Sequence, residues 1–228
     1  MKVIIPIGGG NILNKTTKKI DEYIISLANV NKPKVLFIPI ASNDYSEYVN
    51  NFTSYYESLN CEVKTLYLSK TNNDNLIRSL IFSANIIYIG GGNTAKMMRI
   101  FKRTHVNEYL KMAYDNGIIL TGISAGAMAY FTNGYSDSNR STDKNASLTL
   151  VKCLDFIPYC FCPHYNEEER KSFDLFVSES NFNGLALEDN TALLFIDDEI
   201  KGIINCNNEK GYLINKDSKE EIKNVDTR

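Results

Sequence analysis

Short apolar segments rich in Ile and Val alternate along the chain with longer segments whose apolar residues recur at helical spacing. The strand-like segments of the first half are 3–7, 34–40, 62–66, 86–89 and 118–121. The helix-like segments between them are 17–28, 45–59 and 94–114. Strand and helix in this order predict an α/β fold, a three-layer α/β/α sandwich with a mostly parallel sheet.

The pattern changes in the second half of the chain. A polar segment that reads as a loop comes first, and shorter apolar segments separated by turn residues follow it. The predicted elements are a loop at 133–147, strands at 156–162 and 184–187, a helix at 171–177, and an antiparallel extension made of 191–196, 199–204 and 211–214. We expect a single domain over residues 1–228, with a polar tail at 216–228 that frays.

Charge and composition narrow the possible partners. The chain carries 25 Lys and Arg against 27 Asp and Glu, a formal charge of -2, so we expect neither nucleic acid nor a membrane surface as a partner. No apolar stretch is long enough for a membrane span or a signal peptide, and the expected location is the cytoplasm. The 5 cysteines are odd in number and scattered, which indicates reduced thiols and no metal site.

Two predicted strands end in triple glycines, at 8–10 and 90–92. The carboxyl ends of parallel strands border the ligand crevice of such a sheet, so both turns should lie beside a site. The second turn also contains Gly90-x-Gly92-x-x-Ala95, which partly matches a dinucleotide fingerprint. That fingerprint normally opens the first βαβ unit, whereas this one follows the fourth strand, so close approach of a substrate or a simple tight turn is favoured.

The segment 122–126, Gly-Ile-Ser-Ala-Gly, places one serine between a strand and a small-residue helix start. In one interpretation Ser124 is a nucleophile presented on a strained turn. In the other, Ser124 merely caps the helix. The nucleophile interpretation would make the backbone N–H of Ala125 an oxyanion donor, with a second donor from the glycine turn at 90–92.

A base for Ser124 must come from one of only two histidines. His105 lies at a polar helix junction and reads as a surface residue or cap. His164 follows an apolar strand and Pro163, which places it on the same rim as the serine. Two acids could orient it: Glu188, which also ends a strand and is preferred, and Asp137 in the polar loop. The α/β-hydrolase order of serine, acid and late histidine is disfavoured, although Asp137 would restore it.

Together, the motifs GGGNT, GISAGAM and CPHY resemble those of the peptidase E (aspartyl dipeptidase) and cyanophycinase family of serine peptidases. The resemblance spans nearly the whole chain and implies a fold related to class I glutamine amidotransferases. It also implies that Ser124 is the nucleophile, His164 the base and Glu188 the acid. The implied oxyanion donors are the N–H groups of Ala125 and of Gly91 or Gly92.

The implied substrate is a small peptide cleaved at an aspartyl or β-aspartyl bond, with no metal or organic cofactor. Asn93, Arg170 and Asp137 are the predicted substrate contacts, since the arginine fork can pair with a carboxylate. We expect a monomer or a homodimer. The alternatives are a catalytically silent peptide- or ligand-binding module and an esterase-type hydrolase. An amidotransferase-like subunit is disfavoured, because position 124 is not cysteine and Asn166 stands where those enzymes carry glutamate.

Overall fold

The strands and helices of the computed structural model, which describes residues 1–225, form two mixed sheets with flanking helices. The strands are β1 (Val3–Ile7), β2 (Lys34–Ile38), β3 (Glu62–Thr65), β4 (Ile86–Ile89), β5 (Ile119–Ile123), β6 (Phe131–Ser136), β7 (Thr149–Lys152), β8 (Ile157–Cys162), β9 (Gly184–Leu187), β10 (Thr191–Ile196), β11 (Glu199–Asn205), β12 (Gly211–Ile214) and β13 (Lys219–Glu221). The helices are α1 (Lys18–Leu27), α2 (Ser46–Ser58), α3 (Asp74–Phe82), α4 (Thr94–Arg103), α5 (Val106–Asp115), α6 (Ala125–Met128) and α7 (Ser172–Ser178).

The first sheet has the strand order β11-β10-β1-β5-β4-β2-β3. Its strands β1, β5, β4, β2 and β3 run parallel, and β10 and β11 add an antiparallel edge. Helices cover both faces of this sheet, so all five residues of β1 are buried. The side chain of Ile5 packs in one core with Ile24 of α1, whereas Ile4 packs in the other with Phe101 of α4. The predicted three-layer α/β arrangement is confirmed.

The second sheet, of order β13-β12-β9-β8-β6-β7, was not anticipated as a separate sheet. Its members β6, β8 and β9 are parallel, and the outer strands pair antiparallel. Phe161 of β8 and Leu185 of β9 belong to the same core as Ile4, so the second sheet packs against the α4 side of the first. Its carboxyl ends place the loops that carry His164 and the 188–190 turn beside the ends of β1 and β5.

Several predicted boundaries are wrong for identifiable reasons. The helix expected at 94–114 is two helices, because His105 adopts φ 55° and ends the first of them. The loop expected at 133–147 begins with strand β6. Helix α3 was missed, although its cap signal is present: the side chain of Asn73 accepts a hydrogen bond from the N–H of Leu76.

Part of the tail at 216–228, which we expect to fray, belongs to the second sheet. Residues Lys219–Glu221 pair with Gly211–Ile214, and Ile222 is buried. The last part of that tail, 226–228, lies outside the described residues. In residues 1–225 no helix combines the length and the apolar character that a membrane span needs.

A buried carboxylate on α1 affects the stability of the fold. Asp21 is fully buried and accepts hydrogen bonds from the hydroxyls of Thr17, Tyr55 and Tyr56 at 2.9, 3.1 and 2.7 Å. Burial raises the pKa of Asp21 to about 6, from an ordinary 3.8, because the three hydroxyls only partly replace the lost hydration. The native state therefore binds this proton more tightly than the unfolded chain does.

We expect Asp21→Asn to remove a pH dependence from the free energy of unfolding. Because the native pKa is raised, the contribution of Asp21 is most favourable below pH 3.8 and is lost as the pH rises through about 6. This change amounts to about 3 kcal/mol at most. Urea unfolding of wild type and variant between pH 4 and pH 7, expressed as the difference between them, measures it. A difference that stays constant across this range would contradict the assignment.

Candidate active site

Ser124 stands at the sharp turn between β5 and α6. Its backbone adopts φ 54° and ψ -113°, a conformation that is strained for a residue with a side chain and that typifies a nucleophile elbow. The side chain makes no capping hydrogen bond to the helix that follows. Its Oγ instead lies 2.7 Å from Nε2 of His164. The geometry thus disfavours the interpretation of Ser124 as a simple helix cap.

The second glycine of the elbow is required by a close backbone contact. A Cβ at Gly126 would overlap the carbonyl oxygen of Ile89, at the end of β4, and would lie 2.6 Å from its carbonyl carbon. Only a residue without a side chain lets α6 pack this closely against the end of β4. The elbow and the glycine turn at 90–92 are therefore held together by backbone contact.

We expect Gly126→Ala to lower the free energy of unfolding by about 3 kcal/mol or more, since backbone atoms cannot move aside as a side chain does. Gly91→Ala is the matched control. A Cβ at Gly91 would meet only ordinary contacts, 3.5 Å from Ile123 O and 3.6 Å from Ser124 Cβ, so a change below about 1 kcal/mol is expected. Urea midpoints measure both. Equal midpoints for the two variants would refute the packing argument.

His164 lies between the serine and a carboxylate. Its Nε2 is 2.7 Å from Ser124 Oγ, and its Nδ1 is 2.6 Å from Oδ1 of Asp189. A backbone hydrogen bond also holds the turn that contains His164, since its N–H donates to Gly8 O at 3.2 Å. These contacts join the loops after β1, β5, β8 and β9. A serine, a histidine and an aspartate in this order have the connectivity of a catalytic triad.

Asp189 was missed as a site residue, although it adjoins Glu188 in sequence. Its backbone N–H donates to Asn166 Oδ1 at 2.9 Å, and Asn166 Nδ2 donates to its Oδ2 at 3.3 Å. The hydrogen bond to His164 lowers the pKa of Asp189 below its ordinary value of 3.8 and outweighs the opposing effect of burial. The carboxylate is therefore ionised near neutral pH, as an acceptor for the imidazole must be.

The first triple glycine makes room for this pair. A Cβ at Gly9 would overlap Asp189 Oδ1 and would lie 2.5 Å from His164 Nδ1. A side chain at this position would therefore separate the histidine from the aspartate. The glycine turn at 8–10 borders the site, as expected, but its role is to leave space for two other side chains.

The two acids predicted to orient His164 lie elsewhere. Glu188 Oε2 accepts from the backbone N–H of Lys210 at 2.9 Å, so its side chain is directed to the start of β12. Asp137 Oδ2 lies 3.4 Å from Arg170. The preference for Glu188 is corrected to its neighbour Asp189, because successive residues after a strand point in different directions.

Arg170 is predicted to contact the substrate, but its guanidinium is bonded within the protein. Its side chain is 4% exposed, and Nη1 donates to Tyr135 O at 3.0 Å. Nη2 and Nε lie 3.4 Å from the carboxylates of Asp137 and Glu167. The Nε, Nη1 and Nη2 groups of the guanidinium are thus all bonded within the protein. Arg170 and Asp137 support the turn after β8 rather than line the cavity at Ser124.

Asn93 is likewise a structural residue in this geometry. Its Oδ1 accepts from Lys96 N at 2.8 Å, which caps α4, and its Nδ2 donates to Ser138 O at 2.9 Å and to Ser141 Oγ at 3.2 Å. These bonds attach the glycine turn at 90–92 to the segment after β6. Asn93 is predicted to contact the substrate, but its side chain caps α4 instead.

Three backbone amides were predicted to face an oxyanion. The N–H of Ala125 is the first of α6, so it has no acceptor within that helix. Gly91 lies beside the serine, and its N–H is directed at the hydroxyl of Tyr48, 3.4 Å away. Gly92 has φ 137°, and a Cβ at this position would overlap the carbonyl oxygen of Ala41. Gly91 lines the space in front of Ser124 and Gly92 does not, which favours Ala125 and Gly91 as the donors.

A cavity of about 460 Å³ opens in front of Ser124 and His164. Its other lining residues come from the loop after β1, from the start of α2 and from the sheet: Gly10, Asn11, Ile12, Leu13, Thr17, Ser42, Tyr45, Glu47, Tyr48, Asn51, Tyr88, Gly91 and Ile123. Burial raises the pKa of Tyr48 to about 12, so its phenol is neutral. Within the described residues this lining holds one carboxylate and no lysine or arginine. The volume fits a short peptide or a molecule of similar size.

Comparison with known proteins identifies relatives of the chain. The model of peptidase family S51 matches residues 4–203. The uncharacterized peptidase YgaJ of Bacillus subtilis strain 168 is 33% identical over 204 residues, which cover 88% of this chain and 86% of YgaJ. Peptidase E of Actinobacillus pleuropneumoniae serotype 5b is 25% identical over 144 residues, 61% of this chain and 57% of that protein.

A solved structure supports the fold independently. The crystal structure of a peptidase from an acI-B1 actinobacterium superposes with a TM-score of 0.73 at 17% identity, over 97% of this chain and 93% of the other. At this identity the likeness concerns the fold alone. The resemblance drawn from the motifs GGGNT, GISAGAM and CPHY is confirmed by the family match.

Proposed function

Because the chain belongs to peptidase family S51, and is therefore a serine peptidase, we propose that Ser124, His164 and Asp189 form its catalytic triad. The observation that carries the proposal is the continuous contact from Ser124 Oγ to His164 Nε2 at 2.7 Å and from His164 Nδ1 to Asp189 Oδ1 at 2.6 Å. The strained backbone of Ser124 and the cavity in front of it support the same assignment.

In the proposed mechanism His164 acts first as a base. The neutral ring carries its proton on Nδ1, and this N–H donates a hydrogen bond to Asp189. Nε2 is therefore free to accept the hydroxyl proton of Ser124. Ser124 Oγ attacks the peptide carbonyl, and the protonated His164 passes its proton to the leaving amine. Water then hydrolyses the acyl-enzyme with His164 again as base. Asp189 stabilises the imidazolium in both steps.

We assign the oxyanion to the backbone N–H groups of Ala125 and Gly91. In the free protein the Gly91 N–H is directed at the Tyr48 hydroxyl, so the substrate oxygen must displace a long hydrogen bond of 3.4 Å. Such a contact is weak and easily exchanged for one to a charged oxygen. Tyr48 remains at the edge of the cavity, where its neutral phenol can donate to the substrate.

For the substrate we propose a short peptide with an aspartyl or β-aspartyl residue at the scissile bond. The motif resemblance supports the aspartyl preference, and the cavity supplies neutral donors for the side chain from the amides of Asn11 and Asn51. Amide donors bond a carboxylate more strongly than a carboxamide, so we expect Asp substrates to exceed Asn substrates by about tenfold in kcat/KM. Glu47 fits the ammonium group of a free N-terminus.

A panel of dipeptides tests this proposal. Amine release is followed for Asp-Xaa, β-Asp-Xaa, Asn-Xaa, Glu-Xaa and neutral dipeptides, each with a free and an acetylated N-terminus. We expect cleavage of the Asp or β-Asp substrates, weaker cleavage of the Asn substrates, and lower kcat/KM after acetylation. Cleavage of the Asn or other neutral substrates alone would overturn the aspartyl proposal. Cleavage of simple esters but of no peptide would indicate an esterase-type specificity.

A further inference from the structure

A second cavity, of about 680 Å³, is lined by Asn93, just after the glycine turn at 90–92, and shares no lining residue with the cavity at Ser124. Its walls are α4, the 3₁₀ turn Ser138–Ser141 and strand β7. Neither Ser124 nor His164 lines it, so it is distinct from the proposed peptidase site. A volume of this size is typical of small-molecule sites.

The side chains around this cavity carry one sign of charge. Arg99 and Lys102 of α4 and Lys152 of β7 line it, and no aspartate or glutamate does so among the described residues. In residues 1–225 none of these three cations has an ion-pair partner within 4.0 Å. Like charges around a concave surface concentrate a positive potential, which attracts anions.

The uncharged part of the lining suits the carbon skeleton of an organic ligand. Met98, Val151 and Leu154 form apolar walls against which a carbon skeleton can pack.

We propose that this cavity binds a small organic anion with at least two carboxylate or phosphate groups. The guanidinium of Arg99 can pair with two oxygens of one such group, while Lys102 and Lys152 neutralise the other. This assignment does not rest on the peptidase mechanism, so its failure would leave the triad proposal untouched.

Isothermal titration calorimetry of the Ser124→Ala protein tests the site without interference from turnover. The probes are inorganic pyrophosphate and propane-1,2,3-tricarboxylate, with the neutral tricarboxamide for comparison, at an ionic strength of about 0.15 M. Arg99→Gln and Lys152→Gln each remove one cavity charge. Lys144→Gln is the matched control, because Lys144 is exposed, does not line the cavity and carries the same charge.

We expect at least one anion to bind, with a Kd that rises about tenfold in Arg99→Gln and Lys152→Gln and less than about twofold in Lys144→Gln. Tighter binding of pyrophosphate would assign a phosphate ligand, and tighter binding of the tricarboxylate a carboxylate ligand. The bound anion should also protect Lys102 and Lys152, but not Lys144, from acetylation read by mass spectrometry. Failure of both anions to bind, or equal losses in all three variants, would overturn the proposal.

Discussion

Replacing Ser124 with Ala is expected to lower kcat by on the order of 10⁵- to 10⁶-fold, because within residues 1–225 Ser124 Oγ is the hydrogen-bond partner of His164 Nε2 and no second hydroxyl can take over as nucleophile. The KM should change little, since the oxyanion donors and the cavity are left in place. Initial rates on the best peptide of the panel, compared with wild type at the same enzyme concentration, measure the loss.

The fold of this variant should be intact. The Ser124 side chain makes no capping bond, so alanine removes only the contact to His164. Circular dichroism and the urea midpoint therefore serve as the control. A variant that folds normally and keeps more than about a hundredth of the wild-type kcat would rule out Ser124 as the nucleophile.

Replacing Asp189 with Asn is expected to lower kcat by about 10⁴-fold, because an amide no longer holds the imidazole in the tautomer that leaves Nε2 free. Glu188→Gln is the matched control, since it makes the same chemical change one residue away. Glu188 bonds to the backbone of Lys210, so we expect its variant to keep activity within about threefold of wild type. Similar losses in the two variants would contradict the assignment of Asp189.

The pH dependence of stability provides a second test of Asp189, by comparison of wild type with the Asp189→Asn variant. The hydrogen bond from His164 keeps the pKa of Asp189 below 3.8, so the carboxylate stabilises the native state above that pH. This contribution is lost as the pH falls through the lower, native pKa. Asp189→Asn should therefore be less stable than wild type at neutral pH and approach it in strong acid, which urea unfolding at several pH values measures.

The fold could be predicted from the sequence where a strand is apolar along nearly its whole length. Strands β1, β2 and β4 are apolar on both faces because helices cover both, and that continuous pattern is visible in the sequence. The second sheet was harder. Strand β7 has only four residues, Thr149–Lys152, and none of them is fully buried, so its sequence shows no clear alternation of buried and exposed positions. Its pairing with β6, rather than its own pattern, makes it a strand.

Half of the candidate site could be located from sequence for a similar reason. Ser124 follows β5 directly, His164 follows β8 after Pro163, and the carboxyl ends of parallel strands share one edge. Choosing between Glu188 and Asp189 requires the direction of each side chain after β9. A turn that contains Asn190 at φ 57° has no fixed period from which to deduce it.

Arg170 shows a different limit of sequence reasoning. From the sequence, Arg170 is predicted to contact the substrate because its fork can pair with a carboxylate. Its burial follows from Tyr135 and Asp137, which are distant in sequence and approach it only when β6 and β8 pair. Neither the composition of a segment nor the spacing of its residues indicates such long-range contacts.

The most direct test of the account is the site of modification by a fluorophosphonate, a reagent that reacts with activated serine hydroxyls. The wild-type protein is labelled at neutral pH, digested and analysed by mass spectrometry. We predict a single adduct, on Ser124, that forms far more slowly in Asp189→Asn. An adduct on another serine, or undiminished peptide cleavage by protein that takes up no reagent, would contradict the claim that Ser124 is the nucleophile of this peptidase.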